Sequence, residues 1–112
     1  MINRSAITVR AKQPFLDWLR NLPDPVDPEF TLDRVNCEPH VYLLPEYEMI
    51  NEQEQLLEQF YDIVFELELE GWWTDETDWP SHRDLEMFKQ WFDVEFQSMI
   101  QDLTDEPLID DE

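Results

Sequence analysis

Between Arg34 and Arg83 the chain has no lysine or arginine, yet that stretch holds thirteen acidic residues. Such a segment folds only if its apolar residues are numerous and spaced so that the carboxylates turn outward. Both conditions are met in this chain, which is 42% hydrophobic and contains 15 aromatic residues. At 112 residues it is long enough for one domain with a single core. The charge is divided unevenly. Residues 1–36 carry five bases and five acids, whereas residues 37–112 carry 23 acids and only Arg83 and Lys89. The whole net charge of −21 therefore belongs to the second part.

This balance excludes several functions. Direct nucleic-acid binding by phosphate neutralisation needs lysines and arginines, and an anionic membrane surface would repel the chain. A single glycine excludes glycine-rich phosphate loops. The N-terminus has no apolar stretch of signal-peptide length, and apolar runs such as Val41–Leu44 are far too short for a membrane span. A cytoplasmic location is the expectation, and the lone Cys37 agrees with it.

Hydrophobic spacing predicts an α+β domain over residues 1–103, followed by an acidic tail at 104–112. Ala6–Arg10 reads as a strand. Phe15, Trp18, Leu19 and Leu22 mark a short helix over 14–22, opened by Pro14 and ended by Pro23. Thr31 caps one turn through Val35. His40–Leu44 reads as a second strand, covered on both faces because Val41–Leu44 is continuously apolar. A helix follows over 51–70, with Leu56, Phe60, Ile63 or Val64, and Leu67 as its buried stripe and Gly71 as a left-handed cap. Ser81 and Asp84 resemble a capping box for another helix over 82–103, with Leu85, Phe88, Phe92, Phe96, Met99 and Leu103 on one face. A competing reading ends that helix near Trp91 and places a third strand near 92–100, because Phe92–Phe96 alternates. The persistent polar stripe favours the helix. The expected architecture is a two- or three-stranded sheet packed against two longer helices.

Three stretches, Arg4–Leu19, Val41–Glu48 and Trp91–Met99, resemble a group of small acidic bacterial proteins with no assigned activity. The resemblance implies a compact bacterial domain and transfers no active site.

The inventory of reactive residues is thin. Cys37 and His40 have the spacing of half a zinc site, but the other ligands are missing. Asp75–Asp78 lacks the glycine turn and distal glutamate of a calcium loop. No serine has a nucleophile-elbow setting, and neither histidine follows a glutamate at the Glu-x-x-His spacing of di-iron bundles. In an extended segment Cys37 and His40 would point to opposite faces. We therefore expect no catalytic residue, no metal and no cofactor.

The acidic helix carries the functional expectation. Glu54, Glu58, Asp62, Glu66 and Glu70 recur every four residues, a repeat of about 6 Å, and like charges so placed oppose the helix. Surface optimisation for stability would mix the signs. The row reads either as a solubilising face or as a docking surface for a basic protein partner. In the loop that follows, Trp73 and Trp79 are candidate anchors ringed by acids, with Trp72 or others closing the core beneath. A non-enzymatic interaction protein is the leading expectation. A DNA-mimic inhibitor of a nucleic-acid-binding protein and a small carboxylate enzyme are the alternatives.

Overall fold

The computed structural model describes residues 4–101 and 103, so the expected tail at 104–112 lies outside the described residues. Strand β1 (Arg4–Ala11) is followed by helices α1 (Gln13–Arg20) and α2 (Leu32–Val35), strand β2 (His40–Pro45) and helix α3 (Asn51–Glu70). A 3₁₀ turn (Glu76–Asp78), helix α4 (Leu85–Trp91) and strand β3 (Phe92–Gln97) complete the order. The sheet is antiparallel with order β2-β1-β3. The fold is α+β, as the spacing predicts. No helix among the described residues is long and apolar enough to cross a membrane.

The central strand is apolar because both its edges are paired and its inner face is covered. Ile7, Val9 and Ala11 are buried there, opposite Phe96, Val94 and Phe92 of β3 in register. Phe15 of α1, Phe65 of α3, and Phe88 and Phe92 are fully buried and meet one another. The ring centroids of Phe65 and Phe92 stand 5.3 Å apart at 90°, and those of Phe88 and Phe92 stand 5.1 Å apart. Each such contact adds about 0.5–1.5 kcal/mol to the area buried.

Several expectations are corrected. The helix over 82–103 stops at Trp91, and 92–97 is a strand. β1 is central and buried, so its second edge needs a hydrogen-bonding partner, and the alternation of Phe92, Val94 and Phe96 supplies one whose apolar side faces the core. Asp84 itself caps α4 by accepting from the Met87 N–H, and Ser81 is exposed, so the two form no capping box. On α3 the buried residues are Leu57, Val64, Phe65, Glu68 and Leu69, while Ile63 and Leu67 are 57% and 46% exposed. Of the expected stripe, Val64 is buried and Leu56 and Phe60 are half-buried against the core, so the stripe is widened toward Leu57, Phe65 and Leu69 and leaves out Ile63 and Leu67. Gly71 has φ −62°, an ordinary helical value, so it is no left-handed cap. β2 is an edge strand with Val41 and Leu43 exposed, and not a strand covered on both faces.

Candidate functional site

The acidic row on α3 is partly engaged within the chain. Lys89 on α4 pairs with Glu54. Arg83 places Nε 3.2 Å from Asp62 Oδ1 and Nη2 3.5 Å from Glu66 Oε1. Its Nη1 also donates to the Pro80 carbonyl at 3.0 Å, and its guanidinium lies 5.9 Å from the Phe65 ring centroid and 6.0 Å from that of Trp79. His82, with φ 56°, is the one non-glycine residue in the left-handed region among those described, and it directly precedes Arg83. The two cations of the second part of the chain therefore fasten α4 and its approach to α3. Glu58 and Glu70 are exposed, and their carboxylates have no ion pair or hydrogen bond among the described residues.

The tryptophan loop is held by its own polar groups. Trp73 Nε1 donates to Asp78 Oδ2 at 3.0 Å, Trp79 Nε1 to the Trp73 carbonyl at 2.7 Å, and Trp18 Nε1 to the Asp78 carbonyl at 3.0 Å. Trp72, Trp73 and Trp79 are half-buried against the core. Asp75 accepts from both the hydroxyl and the backbone N–H of Thr77, which holds its carboxyl below the usual carboxylate range.

Sequence spacing missed a second site. Glu68 sits on the buried side of α3, its side chain 8% exposed. Oε2 receives both the His40 Nδ1 hydrogen, at 2.6 Å, and the Tyr42 hydroxyl. Burial, then the bond to Glu68, then the charge of Glu68 together push the Tyr42 hydroxyl well above the ordinary tyrosine range. His40 and Tyr42 reach this carboxylate because they alternate onto the inner face of β2.

Beside this triad lies a cavity of about 300 Å³, between the end of β1, the 34–40 connection and the C-terminal end of α3. Asn36 fixes the connection: its Oδ1 accepts from the Ala11 N–H at 2.7 Å and its Nδ2 donates to the Ala11 carbonyl at 2.9 Å. Its amide thereby continues the β1 ladder past the end of β2. The chain turns over 36–38, so Cys37 and His40 both line this cavity and do not diverge as an extended segment would require. Among the described residues no three of His, Cys, Asp and Glu gather as a metal site would require.

Both sites had partial signals in the sequence. Arg83 and Lys89 are the only bases in residues 37–112, and that scarcity is the signal that marks them as partners for the row on α3. Glu68 would have emerged from phasing the stripe on Leu57, Val64, Phe65 and Leu69. Among known proteins the chain matches no family model, and no curated protein or solved structure is significantly similar to it.

Proposed function

We propose that this chain is a non-enzymatic cytoplasmic interaction protein that presents uncompensated carboxylates to a basic partner protein. The observation that supports this is the disposition of its charges. Arg83 and Lys89 are already committed to Asp62, Glu66 and Glu54. Glu38, Glu46, Glu48, Glu58, Glu70, Glu76, Glu86 and Asp93 are exposed with carboxylates that have no partner within the described residues. An unscreened field of one sign speeds the encounter with a basic surface and repels acidic competitors. The DNA-mimic alternative is weaker, because the regular row on α3 is interrupted by two cations. The carboxylate-enzyme alternative is weaker as well. The carboxyls moved from their usual range, Glu52 and Asp75, are both moved downward and both lie away from the cavity.

The test is affinity capture with the tagged chain from the cells that make it, followed by kinetics with the purified partner. A basic protein retained at about 50 mM salt and released by about 300 mM is expected, since screening at the higher salt shortens the Debye length to well under 10 Å. Replacing Glu58 and Glu70 together with Gln should slow association several-fold and leave dissociation nearly unchanged. Salt-independent retention, or an unchanged association rate in that variant, would remove the proposal.

A further inference from the structure

The cavity beside Glu68 combines charged groups of both signs, Glu68, Glu38 and Arg34, that the fold leaves incompletely used. Both hydrogens donated to Glu68 go to Oε2, and Oε1 accepts none from any described residue. The side chain is only 8% exposed, yet no buried side-chain oxygen among the described residues lacks a partner, so Oε1 keeps access to solvent and is open to a donor from outside the chain. On the same cavity, Arg34 lies 5.6 Å from the Phe30 ring centroid and pairs with no carboxylate among the described residues. This is unusual in a chain with four acids for every base. Glu68, the exposed Glu38 and Arg34 thus share one concave surface, and Arg34 pairs with neither carboxylate. The apolar part of the lining includes Val9, which is buried, and Val35 and Trp72, which are half-buried.

We propose that this cavity binds a small α-amino acid with an apolar side chain, its ammonium group on Glu68, its carboxylate on Arg34, and its side chain against Val9, Val35 and Trp72. The size fits. A volume of about 300 Å³ corresponds to on the order of ten water molecules at about 30 Å³ each, or a ligand of about ten non-hydrogen atoms. An ammonium group donates to Oε1 without disturbing the His40 and Tyr42 bonds to Oε2. The planar guanidinium of Arg34 suits a carboxylate, which it can hold through two parallel bonds. A simple amine would leave Arg34 unanswered, and a simple carboxylic acid would leave Glu68 unanswered.

The experiment uses the full chain, titrated by calorimetry with L-leucine, with isopentylamine (no carboxylate) and with 4-methylpentanoate (no amine). In parallel, alkylation of Cys37 by neutral iodoacetamide reports occupancy, because this sole thiol is exposed and lines the same cavity. L-Leucine should bind saturably and slow the alkylation. Each analogue should bind at least about tenfold more weakly, the cost of one charge-assisted contact. Arg34→Gln should weaken L-leucine about tenfold and leave isopentylamine unchanged. Glu68→Gln should weaken L-leucine and leave 4-methylpentanoate unchanged. Should Glu68→Gln not fold, Arg34→Gln at its exposed position decides the matter with the same ligand series. No saturable binding of L-leucine or L-phenylalanine at millimolar concentration, or equal affinity for ligands lacking either end group, would overturn the proposal.

Discussion

Glu68 is the only charged side chain in the interior among the described residues, and its neighbours are arranged around that fact. Its charge is tolerated because His40 and Tyr42 donate to it, and removing one donor leaves desolvation less well compensated. Tyr42→Phe should therefore cost about 1–2 kcal/mol in denaturant unfolding at pH 7. The alkaline limb gives a second reading of the same contact. Tyr42 holds its proton more tightly in the folded chain than at the ordinary tyrosine value of 10.0. That contribution is complete below about pH 10 and is lost as pH rises beyond it. Wild type should lose stability above that pH more steeply than Tyr42→Phe, and parallel curves would show that the hydroxyl is not so held. None of this was legible in the sequence, because His40 and Tyr42 meet Glu68 only when the far end of α3 folds back onto the strand that precedes it. Asn36 was hidden for the same reason, since its partner is the backbone of Ala11. Residue-scale chemistry follows from tertiary placement, and periodicity reads only faces.

At the scale of elements, legibility depended on how many patterns competed. β1, α1 and the bounds of α3 were readable because one periodicity dominated each. The stretch 82–103 carried two, a polar stripe at helical spacing and the alternation of Phe92, Val94 and Phe96. The alternation prevailed because the free edge of β1 rewards a strand there with a whole ladder. Local spacing contains no information about an unsatisfied edge eighty residues earlier. The stripe on α3 was only partly phased for a related reason: Ile63 and Leu67 are as apolar as the residues that pack, and only the surrounding elements select between them. Gly71 tests the corrected reading of the C-terminal end of α3. A Cβ there would stand 3.6 Å from the nearest backbone oxygens, an ordinary contact, and φ is negative. Gly71→Ala should raise stability by about 0.4–1 kcal/mol through the unfolded chain's lost freedom. A loss of similar size in thermal unfolding would mean that the position needs glycine after all.

For the whole molecule, the relevant quantity is charge that stays uncompensated after the internal pairs form. Arg83 and Lys89 convert part of the acidic row into fastening for α4. The exposed carboxylates that remain repel one another and have nothing within the described chain to answer them. Sequence alone gave the size of this excess and its location past residue 36. It could not separate Glu58 and Glu70 from Asp62 and Glu66, because that depends on where α4 docks. Self-repulsion and internal pairing respond oppositely to screening: salt relieves the first and weakens the second. The decisive measurement is the thermal midpoint of the purified chain at pH 7 between about 20 and 200 mM sodium chloride, for wild type and for the double variant Glu58→Gln with Glu70→Gln. The wild-type midpoint should rise by several degrees, consistent with about 1 kcal/mol of relieved repulsion in a domain of this size. The double variant should start higher and rise less. A midpoint that stays level or falls with salt would mean that the carboxylates are neutralised within the fold, leaving no open acidic surface for a partner to read.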